Sequence, residues 1–331
     1  MPKTLSLFIH AGIVLLFSLF AATSRAAALP PLPIDADNLS GMVEFDDYLA
    51  LVTDEGSRLA ILKRHGANWQ LQQTSSLDNG SVELDLEALA YQAPFLYALG
   101  SHSAKRKKLK TDKNQKQNLK RLAQTSPEME RQRLFRLKLN QNADITKIQS
   151  LSLQQIIAEQ KIVAPFISIP SKENGIDLEA LAVDAKGRLL VGFRGPVLRG
   201  NWVPVLRLKL RSGNHFAVKK SKWLWLNLDG RGLRGMSPIK RTDGAHQGQL
   251  LLAGAVGDQA LSYAVYYWDE SNQLSGKDRN AQGLRLLCEI DSPQGKPEGI
   301  QFKRLNQGSV EFQILEDGVK GGNLHSQTCR F

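Results

Sequence analysis

Asp85-Leu86-Glu87-Ala88-Leu89-Ala90 and Asp177-Leu178-Glu179-Ala180-Leu181-Ala182 are one hexapeptide occurring twice in a chain of 331 residues. Each copy leads into an apolar run, a turn and a second apolar run. The first then ends in Gly100-Ser101-His102-Ser103, the second in Gly192-Phe193-Arg194-Gly195-Pro196. Short apolar runs bounded by turn residues read as buried strands. The duplicated unit is therefore a β-hairpin with a carboxylate at its entrance.

The same entrance recurs in weaker form outside the two copies. Leu39-Ser40-Gly41-Met42, Leu233-Arg234-Gly235-Met236 and Pro297-Glu298-Gly299-Ile300 keep the pattern apolar or proline, polar, tiny, apolar. Successive polar positions lie 47, 92, 55 and 64 residues apart. Repeats of that length, with up to four short strands each and little helix, predict an all-β chain folded as a β-propeller. The long interval contains an insertion, so five blades is the simplest count. Six blades fit if part of residues 130–170 forms one without the motif. A β-sandwich would leave the recurring entrance unexplained.

The first strand of each propeller blade lines the central channel. Ser40, Glu87, Glu179, Arg234 and Glu298 should therefore form a ring around one axis. Three carboxylates in such a ring repel unless a positive charge stands among them. Glu87, Glu179 and Glu298 are thus candidate ligands for a hard cation, with Ca²⁺ the best match to oxygen donors. Arg234 as an internal counter-ion is the competing reading, and no D-x-D-x-D-G loop decides between them.

Fifteen residues separate Glu87 from His102 and also Glu179 from Arg194. That spacing predicts both basic side chains on the rim just beyond the glutamates, with Asp54 and Asp317 at comparable strand ends. An imidazole and a guanidinium beside a cation suit a small anionic ligand. The candidate ligand-binding set is then Glu87, His102, Glu179, Arg194, Arg234 and Glu298, with His102 and Arg194 the candidates for any catalysis. The structural alternatives are a turn-capping histidine and an arginine paired with Glu179 or Asp177.

The formal net charge of +11 is unevenly placed. Residues 104–121 hold nine lysines and arginines against Asp112 alone, so the rest of the chain is nearly neutral. Poor in apolar residues, the insertion of about 104–130 is predicted to be a disordered, solvated loop. Its functional reading is contact with an anionic envelope surface through Lys105, Arg106, Lys107, Lys108 and Lys110.

At the N-terminus, Lys3, the apolar residues 5–20 and small residues up to Ala28 read as a cleaved signal peptide over 1–28. A periplasmic or secreted monomer is expected, with one propeller domain over 29–331 and no nucleic-acid partner. Cys288 and Cys329 are the only cysteines, and export makes them either a disulfide or two buried thiols. There is no G-x-S-x-G, H-E-x-x-H, Walker or dinucleotide glycine motif. Any reaction would be metal- or acid/base-assisted.

Together the two hexapeptides, Gly100-Ser101-His102-Ser103, Gly192-Phe193-Arg194-Gly195-Pro196, Gly232-Leu233-Arg234-Gly235-Met236 and Pro297-Glu298-Gly299-Ile300 resemble a family of exported bacterial proteins, domain of unknown function 3616. The resemblance covers residues from about 40 to 320. It implies a propeller related to phytase-like and esterase-like secreted propellers, although Ala88 and Ala180 stand where glycine is more usual. The family has no settled activity. The expectation is a propeller that binds a small anionic ligand, Ca²⁺ or both at its rim. A metal-dependent hydrolase of phosphate esters or lactones is the alternative, and an envelope-adhesion scaffold a second one.

Overall fold

The computed structural model describes residues 29–78, 82–257, 259–277, 279–290 and 294–331. The expected signal peptide, 1–28, lies outside them. Blade 1 is β1 (Leu39–Phe45), β2 (Tyr48–Thr53), β3 (Arg58–His65) and β4 (Asn68–Ser76). In blade 2, β5 (Leu86–Gln92) and β6 (Phe95–Gly100) come before the insertion. The insertion carries the ribbon β7 (Ala104–Arg106) and β8 (Thr125–Pro127), and β9 (Leu134–Leu139) and β10 (Ile145–Leu151) complete the blade. Blade 3 is β11 (Asp177–Val183), β12 (Leu189–Gly195), β13 (Trp202–Leu210) and β14 (Val218–Asn227). Blade 4 is β15 (Gly232–Lys240), β16 (His246–Gly254), β17 (Tyr263–Trp268) and β18 (Leu284–Ile290). Blade 5 has three strands, β19 (Lys296–Asn306), β20 (Ser309–Asp317) and β21 (Asn323–Arg330).

Every strand pair within these blades is antiparallel, and β1, β5, β11, β15 and β19 touch one another in that cyclic order. The fold is a five-bladed propeller. Residues 130–170 add no sixth blade: their strands finish blade 2, and a short helix of residues Gln154–Glu159 follows.

The apolar runs are continuous, not alternating, because each sheet is covered on both faces. All six residues of β2 are buried. The core accordingly lies in layers between neighbouring blades. One layer joins Phe45, Ala50 and Ile61 to Leu86, Leu96 and Phe135, and another joins Leu250 and Val265 to Phe312 and Ile314. Between blades 5 and 1, Leu315 and Leu324 meet Leu39, Leu49 and Leu51, and Leu29, Leu32 and Ile34 of the leader pack onto them. The leader also stitches the ring through its backbone. Gly318 N–H donates to the Asp37 carbonyl at 2.9 Å and Gly321 N–H to Asp37 Oδ1 at 2.7 Å. Cys288 on β18 and Cys329 on β21 form a disulfide, with Cα atoms 5.8 Å apart, that ties blade 4 to blade 5.

Each blade entrance contains the same irregularity. Pairing skips from Leu39 to Gly41, Leu86 to Ala88, Leu178 to Ala180, Leu233 to Gly235 and Pro297 to Gly299, while the partner strand advances by one residue. The five skipped residues are Ser40, Glu87, Glu179, Arg234 and Glu298. A β-bulge frees its extra residue from the ladder and re-aims the side chain. The entrance pattern is thus a bulge signature. The tiny residue that follows is dictated by crowding. A Cβ on Gly41 would stand 2.8 Å from the Glu87 carbonyl oxygen and 2.9 Å from the Ala88 Cα.

The basic insertion is folded, contrary to the expected disorder. Its helix, α1 (Gln115–Leu122), is closed by a capping box in which Asn114 and Gln117 satisfy each other's backbone. Asn118 reaches the Lys110 and Lys113 carbonyls at 3.0 and 3.2 Å, and Arg106 grips Glu173 at 2.5 and 2.8 Å. Composition reported the missing core but not these local polar closures.

Candidate functional site

The five bulge residues converge at one end of the channel with unequal partners. Ser40 Oγ donates to the Leu86 carbonyl of the next blade, so it joins blades 1 and 2 and offers little to a ligand. Arg234 forms an ion pair with Glu298, lies 3.5 Å from Glu179 Oε2 and donates to the Ala255 carbonyl at 3.1 Å. Arg194, near the end of β12, pairs with Asp177 and lies 2.7 Å from Glu179 Oε1. Glu179 therefore sits between two guanidiniums with a side chain only 4 % exposed, yet its Oε2 is buried without a hydrogen bond.

Glu87 makes no ion pair among the described residues. Burial pushes its carboxyl well above the usual carboxylate range, and Glu179, Asp85, Asp177 and Glu298 push it further. Burial also raises Glu179, to about 8, against the pull of Arg194 and Arg234. Interacting carboxyls this close share their titration, and Glu87 alone of the three ring glutamates has no guanidinium partner among the described residues. Burial opposes the charge on both arginines, but the carboxylates outweigh it and hold both above the ordinary arginine range.

Oxygens of Glu87, Asp177 and Glu179 all lie within 4.8 Å of one another, close enough for one ion to reach all three. The membership corrects the expected triad. Glu298, paired with Arg234, is not in this group, and Asp177 stands in its place. The crevice bounded by Glu87, Glu179, Arg234 and Glu298 has a free volume of only about 10 Å³. That is the size of one water or one ion.

Farther out on the rim, Asp54 is raised to about 7, by burial first and then by Asp317 and Asp85. Asp54 Oδ1 and Asp317 Oδ1 are both buried without a hydrogen bond. Asp85 accepts from Ser101 Oγ, from Ser103 Oγ at 3.2 Å and from Arg131 Nη1 at 2.5 Å. Arg131, 3 % exposed, also pairs with Glu83.

His102 is not a rim contact. It is buried, with φ +55°, and both ring nitrogens are occupied. Leu153 N–H donates to Nε2 at 3.2 Å, which leaves Nδ1 to donate to the Gly100 carbonyl at 2.8 Å. Burial lowers its pKa to about 4, so the ring is neutral and ties the end of β6 to the start of the Gln154–Glu159 helix. His102 stands one residue out of the register that its spacing from Glu87 predicts. Leu86 faces Gly100, fourteen positions on, whereas Leu178 faces Phe193, fifteen positions on. Ser101, not His102, is therefore the counterpart of Arg194, and each donates to the aspartate of its own entrance. Blade 2 draws its guanidinium from Arg131, beyond the insertion. No local motif marks that residue, which lies three positions before the apolar run that opens at Leu134.

A family model described as "Protein of unknown function (DUF3616)" matches residues 38–155 and 146–327. Among solved structures the chain is similar to a luciferin-regenerating enzyme, at 13 % identity over 93 % of this chain and 80 % of that one, with a TM-score of 0.45. It is also similar to a protein from Lactobacillus plantarum, at 12 % identity over 88 % and 84 %, with a TM-score of 0.42. A Bacillus subtilis arabinanase matches at 13 % identity over 92 % and 96 %, with a TM-score of 0.40. At these values none of the three bears on activity. No curated protein matches the sequence.

Proposed function

The chain belongs to the DUF3616 family, whose function is unknown, and on that footing we propose a binding propeller whose channel end takes a divalent cation. Glu87, Asp177 and Glu179 would hold it, and their all-oxygen donor set suits Ca²⁺. The observation that carries this reading is Glu87, a carboxyl pressed against other carboxylates with no cationic partner among the described residues. Four acids, Glu87, Asp177, Glu179 and Glu298, share two arginines here, so the site is one that a cation relieves. Any small anion would then bind through the cation and not on the committed guanidiniums.

The hydrolase alternative needs room for a phosphate ester or lactone beside the ion, and the crevice favours binding alone. Calorimetry with CaCl₂ on the full chain tests the cation, expecting saturable binding that releases protons. An unchanged melting temperature in CaCl₂ and in EDTA refutes it. Turnover of a phosphomonoester or a lactone would restore the hydrolase.

A second reading concerns the insertion. Lys107, Lys108, Lys110, Lys113, Lys116 and Lys120 are exposed there beside the exposed Leu109, Leu119, Leu122 and Met129. Basic and apolar groups on one exposed element suit an anionic lipid surface. Lys105 and Arg106 are committed to Glu83 and Glu173, leaving Lys107, Lys108 and Lys110 for contact. Deleting 107–124 should abolish flotation with anionic vesicles and leave behaviour with neutral ones unchanged. The disulfide supports export to an oxidising compartment. No helix among the described residues is long and apolar enough to cross a membrane.

A further inference from the structure

At the far end of the channel the innermost strands open into a second hollow, of about 480 Å³. Its floor includes Met42, Leu89, Leu181 and Met236, which also line the carboxylate crevice. Those four side chains close the channel midway. On β5, Tyr91 at the hollow lies four residues beyond Glu87, about 13 Å along the strand. The two ends are therefore separate environments carried by the same five strands.

Their chemistry is opposite. Lys240, Arg241, Lys303 and Arg304 line the hollow against Glu44 and Asp46. Glu44 is consumed, with Lys303 at 2.7 and 2.8 Å and Arg64 at 3.1 Å. Lys240 is exposed and makes no ion pair among the described residues. Arg241 and Arg304 are themselves exposed and pair near the surface, with the exposed Asp243 at 3.4 Å and the half-buried Glu311 at 2.6 Å. Such pairs contribute little and exchange readily for a ligand's charge.

One wall is aromatic, with Phe45 and Tyr91 stacked at 4.2 Å between ring centroids and 20° between planes. The walls are braced across blades: Phe302 N–H donates to Ser237 Oγ at 2.9 Å and Glu44 N–H to Gln301 Oε1 at 2.9 Å. A braced concavity in the volume range of small-molecule sites, with an apolar floor and a few cations, has the make-up of a ligand pocket.

We propose that this hollow is a second binding site, for a small molecule that joins a carboxylate or phosphate to a flat ring. The cations at the mouth take the anion and the Phe45–Tyr91 wall takes the ring. The site is independent of the cation at the opposite end.

Calorimetry on the full chain with phenyl phosphate, benzoate, inorganic phosphate and benzyl alcohol tests it. Phenyl phosphate and benzoate should bind, with the tighter of the two identifying the anion, and benzyl alcohol should not. Lys240→Gln should weaken the tighter probe about tenfold, the effect of one charged contact, and Tyr91→Leu should weaken both ring probes while leaving inorganic phosphate unchanged. Glu87→Gln should leave all four titrations as they were. Equal binding of benzyl alcohol and phenyl phosphate overturns the proposal, as does silence from every probe. Loss of phenyl phosphate in Glu87→Gln but not in Lys240→Gln also overturns it, because the anion would then sit at the carboxylate end. Lys240 is exposed, so its variant tests binding without endangering the fold.

Discussion

Glu87→Gln removes the ring carboxyl that has no cationic partner among the described residues, and its effect on stability should depend on pH with a defined sign. A carboxyl whose folded pKa lies above its unfolded value of 4.5 binds more proton in the folded state between those two values. Its contribution is complete below 4.5 and is lost as pH rises toward the folded pKa. Each pH unit crossed in that window costs the wild type about 1.4 kcal/mol per proton. At this chain length that is about 2 °C in Tm per pH unit. Glutamine carries no proton to lose, so Glu87→Gln should be the more stable protein in EDTA, by a margin that widens from pH 5 upward. Calcium should reverse the order, since ligand at a hundred times Kd adds about 2.7 kcal/mol to the wild type and little to the variant. Apparent affinity should also rise with pH, by up to about tenfold per unit, as the proton gives way to the ion. Urea unfolding from pH 5 to 8, in EDTA and in CaCl₂, reads all three effects. Parallel pH profiles for the two proteins, or equal stabilisation by calcium, would refute the reasoning.

Arg234→Met should destabilise by about 3–5 kcal/mol by leaving Glu298 and Glu179 short of a counter-charge. Adding Glu298→Gln should recover part of that loss; strict additivity in the double-mutant cycle would deny the coupling. His102 has a folded pKa of about 4, below its unfolded value, so it takes up a proton only on unfolding between pH 4 and about 6.5. Stability in the wild type should rise with pH through that window. His102→Gln should flatten the rise at a cost of about 1–3 kcal/mol near neutrality, checked by urea melts across it. Cys288→Ser with Cys329→Ser opens a crosslink of sequence separation 41 and should cost about 2–4 kcal/mol. Reductant should mimic it in the wild type and do nothing to the double variant.

The repeat was legible because the bulge imposes it. A polar residue that must leave the ladder, followed by one small enough for the axis, writes the same four-letter pattern at Leu39, Leu86, Leu178, Leu233 and Pro297. The count of five blades, and Arg234 as a counter-ion candidate within the ring, followed from that pattern. What stayed hidden depended on register and on distant chain. His102 and Ser101 differ by one position, and only the paired strands reveal which faces Asp85. Arg131 reaches that aspartate from 46 residues away, a contact no local spacing encodes. Asp177 sits in the hexapeptide itself, but the bulge at Glu179 had to be seen before the two could be placed near one ion. The insertion misled through composition, since lysine-rich chain lacks a core yet can still close on its own backbone.

The leader that joins blade 5 to blade 1 also dictates when the molecule can be finished. Leu29, Leu32 and Ile34 are among the first of the described residues to be synthesised, whereas Leu315 and Leu324, which they pack against, are among the last. Blades 1 to 4 can form as they emerge, sheet by sheet, through hairpins local in sequence. The circle cannot close until the C-terminal strands arrive. Until then blade 1 presents an uncovered apolar face, and the N-terminal segment waits without its partner. Ring closure thus waits on the last strands, and trimming inside residues 29–37 should lower the melting temperature by removing the Leu29, Leu32 and Ile34 contacts from the closing layer.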